Sequence, residues 1–268
     1  MESFPFIDSV IKTLSWSYEI PVEYQVICPL SYPVQPEVGL YAHLFQSALM
    51  MIPLFLIDFL ILKRVSSLSD SKTRWFALHA IANGIIAVSS LPDVTQVLGS
   101  PFCSMLNPMQ SWVPSHTAVA VHSYHFLAFT KIRLDDLMHL IVFVGLLNVP
   151  NFLLSAGSIT NLVMFFMTGL PGGLTYLMLV LVKLGVMASI REKEISADIN
   201  TYLRSPALVY CGTSMLASAV QGASRPPIWI VFVCGLVTIF NGIYYGRMAQ
   251  DNYTENRVQQ QFESRNKS

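Results

Sequence analysis

The stretch from Tyr41 to Lys63 reads YAHLFQSALMMIPLFLIDFLILK and contains a single acidic residue, Asp58, before its terminal lysine. Crossing the hydrocarbon core of a bilayer takes about 20 mainly apolar residues. In lipid, a single segment satisfies its own backbone hydrogen bonds only as a helix. This stretch therefore predicts a transmembrane helix.

Six further apolar runs predict six more spans. Together the seven spans cover residues 41–63, 75–98, 112–130, 137–157, 160–189, 205–223 and 227–247. The sixth is short and rich in small residues, which indicates close packing inside a bundle. Gly169, Pro171, Gly172 and Gly173 interrupt the fifth, which predicts a kink or local unwinding. The fold class predicted is all-α, a polytopic membrane bundle of seven transmembrane helices.

The composition of the whole chain agrees with this fold class. Of its 268 residues 53% are hydrophobic and 12% are charged, with a mean hydropathy of +0.52. An ordinary soluble domain carries about 25% charged residues. The 16 basic and 16 acidic residues leave no net charge, which excludes nucleic-acid binding as a main function. A single membrane domain accounts for the length, so any chemistry must lie among the helices.

The distribution of Lys and Arg predicts the orientation. With the N-terminus outside, the inner segments hold thirteen of these residues and the outer segments hold two, Lys12 and Arg225. Cytoplasmic loops carry the excess of positive charge. We therefore expect a lumenal or outer leader over residues 1–40, a membrane domain over 41–249 and a cytoplasmic tail over 250–268. The leader is either an interfacial helix or disordered, and the polar tail is expected to be disordered.

Two of the four cysteines fall on the outer side in this topology. Cys28 lies in the leader and Cys103 in the loop after the second span, where an oxidising lumen permits a disulfide. The alternative is two free thiols at the surface. Cys211 and Cys234 lie inside spans and are interpreted as apolar packing residues.

Polar residues inside the predicted spans form two layers. The outer layer contains His43, Asp93 and His116. The inner layer contains Asp58, His79, Asn83, His122, His125, His139 and Lys183. Intramembrane ionisable groups are costly and mark functional sites by default. The inner layer therefore predicts a lipid-binding cavity, whereas the alternative interpretation is hydrogen bonding between helices.

Spacing adds detail to the inner layer. His122 and His125 are three residues apart and are expected to share one helix face. Asp58 and Lys183 either pair with each other, or Lys183 extends to the nearby interface. Neither a His-x-x-x-His motif nor a cysteine pair supports a metal site, so no metal and no cofactor are predicted.

Two segments resemble a known family. Arg133–Leu140 (RLDDLMHL) is similar to the segment of the TLC (TRAM, LAG and CLN) lipid-sensing family in which charged residues precede a histidine pair. Met167–Lys183 (MTGLPGGLTYLMLVLVK) is similar to a later family helix that ends in lysine. The resemblance covers about residues 74–183. It implies a lipid-handling, multi-pass protein of the endoplasmic reticulum or another endomembrane.

The chain also departs from the pattern of ceramide synthases in this family. Leu140 replaces the second histidine, and Gly173 and Tyr176 stand where those enzymes carry acids. Acyl transfer needs a base to activate the attacking group. The catalytic residues are therefore unknown, and the departures favour a protein without enzymatic activity. If activity remains, His139, His125 and His122 are its candidates.

Three function classes follow. The first is a protein that binds, senses or transfers a membrane lipid in a cavity among its helices. The second is an acyl-CoA-dependent lipid acyltransferase. The third is a seven-helix receptor or a transporter, although the third span ends HFLAFTK without an Asp-Arg-Tyr-like triplet. Expected partners are a membrane lipid and either other membrane proteins or a second copy of the chain.

Overall fold

The computed structural model describes Cys28, residues 39–128, Leu137, Ile141 and residues 145–266. These residues form helices and connecting turns, and none of them belongs to a β-strand. The predicted interfacial helix of the leader and the candidate His139 lie outside the described residues.

Seven helical segments make up the described bundle, and three of them contain a π-helical stretch. They are α1 (Leu40–Leu62, π over Ile57–Leu62), α2 (Ser71–Gly99), α3 (Val113–Ala128), α4 (Leu146–Leu154), α5 (Ile159–Lys183, π over Phe165–Gly169), α6 (189–220, π over Asn200–Arg204) and α7 (Ile228–Arg265).

Four of these helices, α1, α2, α5 and α7, are long and apolar enough to cross a membrane. The described part of the chain is all-helical, and the chain has the composition of a membrane protein. In the described part of the chain α3 has 16 residues and α4 has 9, and both are short for a span.

Helix α6 differs from the predicted sixth span. It begins at Ser189, well before the expected start at residue 205, and its first half reads SIREKEISADINTYLR. This half is too polar to pass as a membrane span. Arg191, Lys193 and Arg204, which the sequence placed in an inner loop, lie on this helix instead. The segment contains neither glycine nor proline, so nothing in it ends the helix.

The tail from residue 250 was expected to be disordered, but most of it belongs to helix α7. The helix continues past Gln250 to Arg265. The residues after Gln250 include no glycine or proline and are rich in Gln, Glu and Arg, which are good helix formers. Pairs four residues apart stabilise the extension: Arg247 with Asp251 at 3.6 Å, and Gln259 Nε2 with Glu263 Oε1 at 3.2 Å.

Helix α2 lies at the centre of the bundle. It packs against α1, α3 and α5, and α5 in turn packs against α6. Helices α6 and α7 lie along each other, and the described part of α4 contacts α1 and α7. Small residues let α6 and α7 approach closely: a Cβ on Gly212 would lie 2.6 Å from the carbonyl oxygen of Gly235. The close packing predicted for the sixth span is present.

The connections between helices define two ends of the bundle. At the first end, Cys28 is joined to Cys103 by a disulfide, so the two cysteines predicted to pair do so. At this same end, which we call the disulfide end, Arg225 Nη2 donates to the Leu106 carbonyl oxygen at 2.6 Å. The opposite end carries the connections 63–70 and 184–188. We call it the basic end, because Lys63, Arg64, Lys72, Arg74, Arg191 and Lys193 lie on or beside these connections.

Candidate functional site

A cavity of about 600 Å³ lies among α2, α3, α5, α6 and α7 in the half of the bundle nearest the basic end. Three residues of the predicted inner layer line it: His79, Asn83 and His122. Three charged residues of α6, which the sequence analysis did not select, line it as well. They are Glu192, Lys193 and Arg204.

The two histidines of the cavity are held in similar ways by their own helices. His79 Nδ1 lies 3.1 Å from the Trp75 carbonyl oxygen, and His122 Nδ1 lies 2.7 Å from the Ala118 carbonyl oxygen. Because a carbonyl oxygen only accepts, Nδ1 is the donor in both pairs, and Nε2 carries the lone pair of the neutral ring. The two rings are 6.1 Å apart, and the Tyr176 ring lies 4.7 Å from that of His79.

The contact between α2 and α5 forms the deep wall beside these rings. Thr168 Oγ1 donates to Asn83 Oδ1 at 2.8 Å, and a Cβ on Gly172 would lie 2.7 Å from Asn83 Nδ2. A Cβ on Gly169 would lie 3.1 Å from the backbone of Ala87. Gly169 and Gly172 therefore let α2 and α5 approach each other closely.

Of the three charged residues that line the cavity, Arg204 lies farthest along α6 from the basic end. It is buried, and its Nε donates to the Met167 carbonyl oxygen at 3.0 Å. Pro171, four residues after Met167, has no N–H to donate to that oxygen. The interruption predicted in α5 therefore supplies an acceptor for α6. Arg204 Nη2 donates to Asn241 Oδ1 of α7 at 2.6 Å, and the guanidinium lies 5.1 Å from the centre of the Tyr245 ring.

Arg204 was not among the predicted site residues, because residues 191–204 lie between two apolar runs and were expected to form a loop. One signal was present. The stretch from Ser189 to Ser205 lacks glycine and proline, and Asn200 and Arg204 are four residues apart, so a continuous helix would have placed both on one face.

One residue of the predicted inner layer, Asp58, belongs to a separate polar cluster near the basic end, outside the cavity lining. Asp58 Oδ1 forms an ion pair with Arg74, whose Nε lies 2.7 Å away, and Asp58 Oδ2 accepts from the Tyr124 hydroxyl at 2.7 Å. This cluster ties α1, α2 and α3 together. Lys183 is exposed at the end of α5 and lies outside the cavity, so the pairing of Asp58 with Lys183 is not formed.

His125 also lies outside the cavity lining. Its ring is buried 3.9 Å from that of Trp75 and contacts Phe126, whereas His122 faces the cavity. The two histidines of α3 therefore have different surroundings, although they were expected to share one face. Among the described residues no group of three His, Cys, Asp or Glu side chains is arranged to hold a metal ion.

The predicted outer layer lies near the disulfide end and is closely packed. His43 Nδ1 and His116 Nε2 are 3.1 Å apart, and the His43 ring lies 4.2 Å from Trp112 and stacks on Phe152 at 4.8 Å. None of these four residues lines the 600 Å³ cavity.

Asp93 is the acidic member of this layer and is completely buried. Its carboxylate accepts from the backbone N–H of Gln110 at 3.0 Å and from Asn161 Nδ2 at 2.6 Å. These bonds connect α2 to α5 and to the loop after Cys103.

Comparison of the chain with protein families, with curated proteins and with solved structures finds no match. The functional interpretation therefore depends on the geometry of the site.

Proposed function

We propose that the protein binds or transfers a membrane lipid in the 600 Å³ cavity near the basic end. The observation that carries the proposal is the arrangement of the lining. Glu192 and Lys193 lie near the basic end of α6, the histidines and Arg204 lie deeper, and Ala118 and Met164 lie closer to the disulfide end along α3 and α5. A cavity lined by both charged and apolar side chains fits an amphiphile.

The proposal includes a topology. Seven spans would place the disulfide end in an oxidising compartment, where the Cys28–Cys103 bond persists, and the basic end in the cytoplasm. The helical segments alternate between these ends in the described part of the chain, as that topology requires. A location in the endoplasmic reticulum or another endomembrane, and a TLC-like arrangement of α2 to α5, belong to the same proposal.

Native mass spectrometry of protein extracted in a mild detergent tests lipid binding. We expect a lipid to stay bound to the purified protein at the activation energy that removes detergent. A protein that loses all lipid together with its detergent, while its helical circular dichroism is intact, would contradict the proposal.

A reporter fused after Ser268 tests the orientation. We expect a glycosylation acceptor at this position to stay unmodified in cells, and the same acceptor placed before Cys28 to be modified. Modification after Ser268 would reverse the assignment of the two ends.

A second candidate function is acyl transfer from an acyl-CoA to a lipid. The observation favouring it is His122, whose Nδ1 is held by the Ala118 carbonyl oxygen so that Nε2 of the neutral ring can accept a proton. Transfer of a radiolabelled acyl chain by the wild type and not by His122→Ala would establish this function. Binding of lipid without turnover of acyl-CoA would favour the first.

A further inference from the structure

We infer that the cavity selects an amphiphile with a phosphate group, and that Arg204 is the residue that recognises it. The inference rests on the proposed function, because it assigns the chemistry of the ligand to the same cavity. It begins from the charge balance of the lining. The lining contains two basic side chains, Lys193 and Arg204, and one acidic side chain, Glu192.

Glu192 is engaged near the basic end of α6. Its Oε1 accepts from the Ser196 hydroxyl at 2.9 Å, and its Oε2 lies 4.0 Å from Lys193 Nζ. The two opposite charges on neighbouring residues offset each other. The charge of Arg204 is therefore the net charge of the cavity.

Arg204 has neutral partners only. Within the described residues no carboxylate oxygen lies within 4.0 Å of its guanidinium, and its three bonded oxygens belong to the Met167 backbone and to the amides of Asn200 and Asn241. A buried charge without a counter-ion is costly in a low-dielectric interior. An anionic ligand in the cavity would supply the missing charge.

The donors around Arg204 outnumber the acceptors. A guanidinium has five N–H groups, and the described residues accept from three of them. Asn241 Nδ2, fully buried beside the guanidinium, has no acceptor in the described part of the chain. A phosphate group presents several acceptor oxygens and matches the planar fork of an arginine better than a neutral headgroup does.

Arg204 differs from Arg74, which also bridges helices. Arg74 joins α2 to α1 through the carboxylate of Asp58 and does not line the cavity. Arg204 likewise joins three helices, but without a carboxylate and on the cavity wall. Arg74→Gln is therefore the control, since it removes a half-buried interhelical arginine that does not line the cavity.

Lipid retention after detergent exchange measures the preference. Purified full-length protein is incubated with phosphatidic acid or with diacylglycerol of the same acyl chains, and bound lipid is counted. We expect the wild type to retain about tenfold more phosphatidic acid than diacylglycerol, as one charge-assisted pair permits. Arg204→Gln is expected to bring this ratio close to one. Arg204→Lys keeps the charge but not the planar fork and is expected to preserve part of the preference, whereas Arg74→Gln is expected to preserve all of it.

Each outcome is decisive. Equal retention of the two lipids by the wild type, or an unchanged ratio in Arg204→Gln, overturns the inference while leaving lipid binding intact. Retention of neither lipid overturns the proposed function itself. A third arm adds inorganic phosphate as a competitor. If phosphate displaces phosphatidic acid at equal concentration, the site recognises phosphate from a soluble compound. If displacement needs a large excess, the phosphate it recognises belongs to a lipid. If Arg204→Gln fails to fold, the Lys variant and the wild-type ratio still test the inference.

Discussion

Both ends of the bundle contain a pair of histidines, but the packing around the two pairs differs. Near the disulfide end, His43 and His116 are in contact with each other and with stacked rings, and Asp93 accepts two short hydrogen bonds from neighbouring segments. Near the basic end, His79 and His122 are 6.1 Å apart and border a cavity of about 600 Å³. A buried histidine therefore indicates a ligand site only where packing leaves room beside it.

The largest effect on stability is expected from loss of the disulfide at the disulfide end. Cys28→Ser removes a cross-link between residues 75 positions apart in sequence, which costs about 4 kcal/mol in the chain-entropy treatment. We expect a large fall in the melting temperature in detergent with no change in lipid retention per folded molecule. Cys211→Ser, which changes a free buried cysteine, is the control. Equal melting temperatures for Cys28→Ser and wild type would show that the bridge does not support the fold.

A somewhat smaller loss of stability is expected at Asp93. Asp93→Ala leaves Asn161 Nδ2 and the Gln110 N–H without this acceptor, and an unsatisfied buried group costs about 1–3 kcal/mol. The unfolding free energy should fall by about that amount, whereas Leu98→Ala, exposed on the same helix, should have little effect. If Asp93→Ala also lowered lipid retention in molecules that stay folded, the packing near the disulfide end would be coupled to the cavity near the basic end.

Filling the cavity should affect binding and leave the fold in place. Thr175 lines the cavity on α5, and Thr175→Trp is expected to reduce lipid retention about tenfold, since the indole would occupy space that the ligand needs. Leu174→Trp is the matched control, because Leu174 is the neighbouring residue and is 40% exposed. If both variants lost lipid equally, the cavity would not be the binding site.

The smallest effect concerns the N-terminus of α2. The Thr73 backbone N–H that donates to Asp70, together with the Thr73 hydroxyl and the Lys72 N–H, holds the pKa of that carboxyl below its ordinary value of 3.8. A lowered pKa means that the ionised cap stabilises the fold above pH 3.8 and that this contribution disappears as the pH falls through the lowered value. Asp70→Ala should therefore melt slightly below the wild type at pH 7, and the difference should shrink as the pH falls below 3.8. A difference that grew on acidification would contradict the assignment.

Much of the helical framework is local information and could be read from the sequence. The first two apolar runs, residues 41–63 and 75–98, correspond to Leu40–Leu62 and Ser71–Gly99, because a continuous apolar segment suffices to predict a helix. The start of α7 at Ile228 also lies within one residue of its predicted position.

The cavity depends on information that the pattern does not contain. Residues three apart on a helix differ by about 60° in direction, and this is enough for His122 to line the cavity while His125 packs on Trp75. Arg204 was expected to lie in a loop because its stretch of sequence is polar. Its role could not be predicted, since it depends on acceptors from α5 and α7 that are distant in sequence. Depth along a span predicted polar layers but could not distinguish a packed layer from an open one.

The most direct test of the contrast between the two ends compares lipid retention in matched histidine variants. His79→Ala removes an imidazole from the cavity wall, and His43→Ala removes one from the packed cluster near the disulfide end. Retention is measured per folded molecule by native mass spectrometry after detergent exchange. We expect His79→Ala to retain several-fold less lipid at nearly unchanged stability, and His43→Ala to retain wild-type lipid at reduced stability. Equal retention in the two variants, or a greater loss in His43→Ala, would contradict the assignment of the cavity as the lipid site.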